Sequence, residues 1–314
     1  MEFIDVTLRD GGHQVGFNWP EHFVVNFLPE IAALDSVSFV EVGYWGQKGK
    51  FEGPYYSLDN ASLRSLFPQV TGAQLAVMTD YHYAIRDLEA YPSSDTDPMV
   101  GLIRVTARQD EFESAVAFMH ELSAYTGIPV SCNIFNVTNY SSEHLDYCVD
   151  YALKSDVAVI AFADTHGSLD LDHLADSWQG RISRIHSQGK MAGIHLHDHL
   201  GFARTNYRIS KELGFDYCDV SLKGIGKGLG NLRLEHCIDI SERGELLRLW
   251  AEYDKFMELP TGPWAYLTAR FSATDHYAEQ ARALGLSPNR LRAALVSMSR
   301  DERDNYRRDL LVSN

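Results

Sequence analysis

The chain has 314 residues, 45% of them hydrophobic, so it can bury a full core as one large α/β domain or as a barrel with an appendage. Its 28 basic and 43 acidic residues give a formal charge of −15, which excludes a general nucleic-acid surface and a surface for anionic membranes. The four cysteines show no CxxC spacing, and we find neither a signal-peptide pattern nor a long apolar run. These features predict free thiols in a reducing cytoplasm.

Eight apolar, β-branched runs recur along the chain with helix-like stretches between them, which indicates parallel βα units. Amphipathic stretches such as Glu111–Tyr125 and Leu171–Gln188 fit the intervening helices. Eight such units predict a TIM (β/α)8 barrel, whereas a doubly wound fold would need fewer strands and a glycine fingerprint that Gly11-Gly12 does not provide. The predicted strands are Glu2–Val6, Ser38–Val42, Gln74–Met78, Val100–Val105, Val130–Ile134, Ala158–Ala163, Ala192–His195 and Tyr217–Ser221.

The pattern becomes purely helical near residue 245. We therefore predict a catalytic barrel over residues 1–245 and a C-terminal helical extension over residues 246–314. The predicted helices of the extension are Leu246–Met257, Tyr266–Leu284 and a segment from Asn289 onward, separated by Pro and Gly breaks. Their apolar side chains fit a cap on the barrel, with homodimerisation as the alternative.

Polar residues at the C-terminal ends of barrel strands indicate chemistry, because the βα loops there form the active-site rim. Glu41 lies late in the second strand, Arg104 late in the fourth, and Asp164 at the end of the sixth. We expect these three side chains to contact the substrate. The loop after the eighth strand, residues 223–231, is rich in glycine but lacks the pattern of a phosphate-binding loop.

His195 and His197 give the strongest metal signal in the chain. Residues at i and i+2 of a strand face the same side, so both imidazoles can meet Asp10, which follows the first strand. The amide oxygen of Asn231 can add a fourth contact. This mixed nitrogen and oxygen set, without a thiolate, favours Mn²⁺ or Mg²⁺, with Co²⁺ and Zn²⁺ as alternatives.

Arg9 and His13 flank the acid in the sequence Arg9-Asp10-Gly11-Gly12-His13. We expect a loop here, in which the two glycines turn the backbone so that His13 faces the metal as a general base or acid. Arg9 would bind a carboxylate or an enolate oxygen. The alternatives are a structural salt bridge from Arg9 to Glu41 or Asp164, and a surface position for His13.

Two arginine-containing runs, Arg282–Arg292 and Arg303–Arg308, lie in the extension. Acidic, polar and apolar residues are interleaved with the arginines at helical spacing. The pattern is typical of solvated helix faces, so we expect no nucleic-acid binding from either run.

Four stretches together resemble the metal-dependent HMG-CoA-lyase-like (DRE-TIM) barrels, a family that includes isopropylmalate synthases and 4-hydroxy-2-oxovalerate aldolases. The resemblance covers residues 1 to about 240. The histidine three residues after the aspartate is similar to the RDGxH motif of the aldolase branch. The stretches are DVTLRDGGH, the turn Asp164-Thr165-x-Gly167, GIHLHDHLGFARTN and DVSLKGIGKGLGNLRLE.

This resemblance implies that Asp10, His195 and His197 bind the divalent ion, with Asn231 as a further contact. In the implied reaction, the C3–C4 bond of a 4-hydroxy-2-oxo acid breaks to give an aldehyde and a pyruvate enolate. The ion and Arg9 would stabilise the negative charge of the enolate, and His13 would move the proton of the alcohol. It also implies a 2-oxo acid and an aldehyde as small-molecule partners, and an acylating aldehyde dehydrogenase as a protein partner.

The chain departs from the family pattern at several positions. Asp198 and His199 follow the second histidine where the family has asparagine, and Arg108 stands where aldolases have histidine. The tyrosine expected in the extension falls on Phe271 or Leu267, with Tyr266 out of register. No role is assigned to Asp198, His199 or His166. A Claisen-type acyltransferase that condenses an acyl-CoA with a 2-oxo acid, and a barrel without catalysis, remain the alternative functions.

Overall fold

The computed structural model describes residues 1–47, 49, 51–67, 70–260 and 262–312. Its centre is a closed barrel of eight parallel strands, in which the first strand also pairs with the last. This confirms the predicted TIM barrel, and each predicted strand overlaps the observed one. The strands are β1 (Glu2–Asp5), β2 (Val37–Tyr44), β3 (Gln74–Asp80), β4 (Val100–Ala107), β5 (Val130–Ile134), β6 (Val159–Asp164), β7 (Met191–Leu196) and β8 (Tyr217–Val220).

Helices surround the barrel, and further helices follow it. The connection from β3 to β4 carries only short 3₁₀ turns, because its sequence between Pro92 and Pro98 is rich in serine and aspartate. Within the described ranges, no helix is long and apolar enough to cross a membrane. The helices are α1 (Thr7–Val15), α2 (Glu21–Ala32), α3 (Asn60–Leu66), α4 (Phe112–Thr126), α5 (Ser142–Ala152), α6 (Ala175–Ser187), α7 (Ala203–Glu212), α8 (Gly244–Tyr253), α9 (Pro263–Arg270), α10 (His276–Ala283), α11 (Pro288–Ser297), α12 (Arg300–Asp304) and α13 (Asp309–Val312).

The interior of the barrel changes from apolar to charged along the strands. Leu102, Ala161 and Tyr217 belong to an apolar cluster inside the barrel. Successive side chains of a strand alternate between its faces, so the next interior positions on β4 and β8 are Arg104 and Asp219. These two side chains form a buried ion pair. The charged layer lies toward the C-terminal ends of the strands, and the functional site is built on it.

The boundary between barrel and extension lies later than the predicted residue 245. Helix α8 packs on α2, and its Leu246 and Leu249 belong to the main core, as does Met257. Helix α8 is therefore the outer helix that follows β8. Tyr277, Leu291 and Leu295 belong to a second, separate core. The extension consequently begins between Leu259 and Pro263.

The predicted helix Tyr266–Leu284 is interrupted in the structure. Helix α9 ends at Arg270, Ser272 adopts a left-handed backbone with φ 47°, and α10 begins at His276. Apolar periodicity continues across the break, so sequence pattern alone predicts one helix. The interruption matters for function because it directs residues 274–276 toward the mouth of the barrel, where they meet the site described below.

We expect Asp5 to make stability depend on pH. Its buried carboxyl accepts hydrogen bonds from the backbone N–H and the hydroxyl of Thr7, each at 3.0 Å, and burial raises its pKa from 3.8 to about 7. Between these values the folded state holds a proton that the unfolded state has lost. The contribution of Asp5 to the free energy of unfolding is therefore fully present below about pH 4 and falls by roughly 1.4 kcal/mol per pH unit up to about pH 7.

Urea unfolding of wild type and Asp5→Asn at pH 5, 6 and 7, in EDTA, tests this expectation. The decline of stability with pH should be shallower in Asp5→Asn than in wild type, and the exposed control Asp35→Asn should match wild type. Equal slopes in wild type and Asp5→Asn would show that Asp5 is ionised in the folded protein.

Candidate metal centre

His195 near the end of β7, His197 just after that strand and Asp10 of α1 meet in the barrel mouth, as the sequence predicts. One ligand atom from each of Asp10, His195 and His197 lies within 4.8 Å of the others, and the Nε2 atoms of the two histidines are 3.1 Å apart. All three side chains are buried. Two imidazole nitrogens at this separation, together with a carboxylate oxygen, can all coordinate one cation.

The protonation states fit a divalent ion. Nδ1 of His195 lies 2.8 Å from Oδ2 of Asp219, a contact that directs the proton to Nδ1 and leaves the Nε2 lone pair for a ligand bond. Burial and the neighbouring His195 hold the pKa of His197 well below its usual range, so its ring is neutral. Burial opposes ionisation of Asp10, but the adjacent Arg9 and the two histidines hold its pKa well below the ordinary value.

Asn231 completes the set of candidate ligands. Its Nδ2 donates to Oδ2 of Asp10 at 2.8 Å, while its Oδ1 is buried and has no hydrogen-bond partner among the described residues. A buried amide oxygen without a donor is costly unless a cation fills the gap. The residues therefore fit a divalent ion held by two nitrogens and two oxygens. Whether the ion is Mn²⁺, Mg²⁺, Co²⁺ or Zn²⁺ stays a prediction.

Arg9 is held by two carboxylates. Its Nε donates to Oε2 of Glu41 at 2.5 Å, and its Nη1 donates to Oδ1 of Asp10. The structural salt bridge considered as an alternative is thus present, yet Arg9 also lines the cavity over the metal centre. No hydrogen bond to the described residues involves Nη2. The planar guanidinium is fixed on two sides and offers its third nitrogen to a ligand.

The predicted substrate contacts of Glu41, Arg104 and Asp164 need correction, because these fully buried side chains do not line the cavity. Arg104 pairs with Asp219 at 2.8 Å and with Glu41 at 3.2 Å, and so supports the partners of His195 and Arg9. Asp164 accepts backbone N–H groups from the turn that follows β6, and burial raises its pKa to about 7. Glu41 and Arg104 therefore act on the site through Arg9 and Asp219, whereas Asp164 fixes the turn after β6.

The predicted loop at residues 9–13 is instead part of helix α1. Gly11 and Gly12 are present for packing rather than for a turn: a Cβ on Gly11 would lie 2.8 Å from Ile225, and one on Gly12 would lie 2.5 Å from the ring of Phe17. The left-handed backbone comes later, at Gly16, where α1 ends, and at Phe17. The helix brings Arg9, Asp10 and His13 to the cavity because these positions share one face.

Replacing Gly12 with alanine should destabilise the protein by about 1–3 kcal/mol, because the new methyl group overlaps the fully buried ring of Phe17. Gly180 supplies a matched control, since it lies exposed in α6 and a methyl group there would meet no atom within 4 Å. Gly180→Ala should stabilise by about 0.5–1 kcal/mol. Urea denaturation measures both changes, and a neutral Gly12→Ala would contradict the packing described.

His13 lies on the cavity wall among aromatic rings. Its Nε2 is 3.3 Å from the hydroxyl of Tyr44, and the rings of Phe17 and Phe51 contact it edge-on at 5.0 and 5.8 Å. The side chain is partly buried and lines the same cavity as the candidate metal ligands. The surface position considered as an alternative is therefore not what the structure shows.

The cavity above the metal centre has a volume of about 1150 Å³, and the extension forms part of its wall. Lys227, in the loop after β8, pairs with Asp275 at 3.1 Å, and its backbone N–H donates to Asp10. Asp304 of α12 lies 2.9 Å from Nε2 of His166 and anchors the other side. Sequence reasoning missed these contacts, because each joins residues far apart in the chain.

The residues that depart from the family pattern also have hydrogen-bond or ion-pair partners. Asp198 accepts the backbone N–H of Ala203 at the start of α7, so it caps a helix. His199 lies within hydrogen-bond distance of two backbone oxygens, those of His166 and Lys227. Arg108 lines the cavity and pairs with Asp80 at 2.9 Å. None of these three belongs to the cluster that could hold a metal ion.

In a comparison with known proteins, residues 101–255 match the family described as HMGL-like. The match identifies this part of the chain as an HMGL-like domain. The HMGL-like family consists of enzymes, including lyases, a decarboxylase and synthases, that generally depend on a divalent metal ion. The cluster of Asp10, His195 and His197 fits that dependence.

Proteins similar in sequence to this chain include two kinds of enzyme. Over 251 residues it is 23% identical to an oxaloacetate decarboxylase of Mycobacterium tuberculosis, covering 77% of this chain and 70% of that one. Over 246 residues it is 24% identical to a 2-isopropylmalate synthase of Aquifex aeolicus, covering 74% of this chain but 46% of the synthase. The chain therefore spans about half the length of that synthase.

The fold resembles the N-terminal domain of a putative aldolase from Bacteroides vulgatus, with a TM-score of 0.68 and 17% identity. The match covers 95% of this chain and 97% of that one. The likeness therefore extends through the barrel into the extension, and at this identity it concerns the fold alone.

Proposed function

We propose that the protein is a divalent-metal-dependent lyase that cleaves the C3–C4 bond of a 4-hydroxy-2-oxo acid and also catalyses the reverse addition. One observation carries the proposal: a fixed guanidinium, a candidate metal cluster and an imidazole line the same cavity. The guanidinium and the metal cluster can stabilise the negative charge of a developing enolate, and the imidazole can accept the proton of the alcohol.

The ion, when bound by Asp10, His195 and His197, supplies Lewis acidity toward the oxygens of a 2-oxo acid. Arg9 acts on the same part of the substrate. Its Nη2 has no hydrogen bond to the described residues, and Glu41 and Asp10 keep the group from turning away. A donor fixed in advance stabilises the negative charge that develops on the enolate oxygen without reorganising during the reaction.

His13 accepts the proton of the 4-hydroxyl group. The electrons of that O–H bond form the carbonyl of the aldehyde, and the electrons of the C3–C4 bond become the C2–C3 double bond of the enolate. Protonation at C3 then gives pyruvate, so the proton taken from oxygen is balanced by one returned to carbon. Tyr44 orients the imidazole through the 3.3 Å contact, and burial raises the pKa of Tyr44, so its phenol stays protonated.

The cavity suits an aldehyde larger than a short aliphatic one. Its volume is about 1150 Å³, and its walls include the aromatic side chains of Tyr56, Tyr83, Tyr140 and Tyr306. Arg108 lies on the same wall beside Asp80. These features support a substrate whose C4 substituent carries an aromatic or polar group.

Decarboxylation of a 2-oxo dicarboxylic acid is the second candidate, favoured by the similarity to the Mycobacterium tuberculosis decarboxylase. That reaction also produces an enolate, and it uses the metal cluster and Arg9 in the same way. It differs at the bond that breaks, because carbon dioxide leaves without a hydroxyl proton to remove. Only the aldol cleavage therefore gives His13 a hydroxyl proton to accept, whereas the enolate formed in either reaction takes up a proton at C3.

The proposal is tested by activity assays in the presence of Mn²⁺. The substrates are a panel of 4-hydroxy-2-oxo acids, oxaloacetate, and acetyl-CoA together with 2-oxo acids. We expect release of pyruvate and an aldehyde, and a loss of about 10²–10⁴-fold in kcat for His13→Gln. The exposed control His22→Gln should behave as wild type. Turnover of oxaloacetate alone would establish the second candidate, and thiol release from acetyl-CoA would establish an acyltransferase.

A further inference from the structure

Four arginines gather around a second cavity, of about 580 Å³, on the extension. They come from the three helices α9, α11 and α12, and we call this cavity the arginine groove. It is lined by Arg270, Arg292, Arg300 and Arg303, with Tyr266 and Phe271. Arg292 and Arg303 belong to the two arginine-containing runs for which the sequence predicts ordinary solvated helix faces. The fold instead brings these two arginines to the same cavity.

The charge of the groove is unusual for this protein. The chain as a whole carries a formal charge of −15, yet no acidic side chain in the described part of the chain lines this cavity. Among the described residues, no carboxylate lies within salt-bridge distance of any of the four guanidiniums. Like charges gathered without counter-charges repel one another, so the arrangement is most stable when an anion is bound.

Two of the four guanidiniums are held by backbone carbonyl groups rather than by acids. Arg300 donates to the carbonyl oxygen of Thr138 at 2.8 Å, and Arg303 donates to that of Leu295 at 3.0 Å. Arg303 also stacks on Phe271, with Cζ 5.5 Å from the ring centre. A guanidinium has five N–H donors, so most of these donors remain available to the oxygens of a ligand.

We propose that the arginine groove binds a small organic molecule that carries two or more phosphate groups. Arginine presents a donor fork that matches phosphate geometry, and four such forks match a polyphosphate better than a single carboxylate. The aromatic rings of Tyr266, which is 51% exposed, and Phe271 provide a surface for the organic part. The volume lies within the usual range of small-molecule sites and exceeds that of a lone phosphate ion.

The groove is distinct from the catalytic cavity but adjoins it. Asn139 and Arg300 line both cavities, whereas Arg270 and Arg292 line the groove alone. The proposal does not depend on the proposed lyase reaction, because binding in the groove can be measured without turnover.

Calorimetric titration of the full chain with ADP tests the proposal, with uncharged adenosine as the comparison ligand. We expect ADP to bind, adenosine not to bind, and the affinity for ADP to fall as the NaCl concentration is raised. Arg270→Gln and Arg292→Gln should each weaken ADP binding at least about tenfold. Arg290→Gln, a neighbour on α11 that does not line the groove, is the matched control and should bind as wild type.

Two further measurements exclude other occupants. Saturating oxalate should leave ADP affinity unchanged, and displacement of ADP by oxalate would assign the binding to the catalytic cavity and overturn the proposal. Absence of ADP binding, or equal affinities in Arg292→Gln and Arg290→Gln, would also overturn it. Sedimentation that shows an oligomer lost in Arg270→Gln, without ADP binding in wild type, would instead identify the groove as a contact between copies of the chain.

Discussion

Asp10→Ala is expected to abolish divalent-metal binding and to lower kcat/KM by about 10³-fold or more. The substitution removes the carboxylate of the ligand cluster and also frees Nη1 of Arg9 and Nδ2 of Asn231. The metal contributes several kcal/mol to stabilising the transition-state charge, and each 1.4 kcal/mol is worth roughly tenfold in rate. Titration with Mn²⁺ and turnover measurements check both expectations.

Asp198→Asn is the matched control for this prediction. Asp198 follows His197 directly, but its carboxylate caps α7 and lies outside the cluster. We expect Asp198→Asn to keep Mn²⁺ binding within a few-fold of wild type. Retained Mn²⁺ binding in Asp10→Ala, or equal losses in both variants, would contradict the assignment of Asp10 as a ligand.

Arg9→Lys is expected to lower kcat by about 10²–10³-fold while Mn²⁺ affinity changes little. The guanidinium of Arg9 donates to Glu41 and Asp10 at once and keeps Nη2 for the substrate. A lysine ammonium conserves the charge but cannot reproduce that planar arrangement. Losing one fixed donor to a developing oxyanion has an effect of this size. Steady-state kinetics and Mn²⁺ titration separate the two properties.

Arg64→Lys provides the comparison for Arg9→Lys. Arg64 also pairs with a buried carboxylate, that of Asp97, but its own side chain is 57% exposed and does not line the catalytic cavity. We expect wild-type kinetics from this variant. If Arg9→Lys lost metal binding in proportion to activity, Arg9 would serve to hold Asp10 rather than to stabilise the enolate.

Much of the site could be predicted from sequence, because regular strands make side-chain direction predictable. His195 and His197 lie two residues apart at the end of a strand, and a barrel brings the ends of all its strands to one rim. The same alternation on β8 would have indicated Asp219, two residues after the interior Tyr217. We missed Asp219 because its role lies in a contact with another strand.

Other features depend on contacts that local pattern does not encode. The glycines at 11 and 12 are compatible with a loop or with a crowded helix, and only the positions of Phe17 and Ile225 distinguish the two. The depth of Glu41, Arg104 and Asp164 below the cavity follows from the barrel's width and stagger rather than from strand position. The wall formed by the extension depends on a helix break that apolar periodicity does not reveal.

The most direct test of the account is deuterium exchange at the methyl group of pyruvate, followed by proton NMR in D₂O. A site that forms the pyruvate enolate must exchange these protons even without an aldehyde. We predict metal-dependent exchange by the wild-type protein, well above the rate in buffer, and only the background rate in Asp10→Ala. Absence of exchange by the wild-type protein with each of Mn²⁺, Mg²⁺, Co²⁺ and Zn²⁺ would contradict an enolate-forming lyase site.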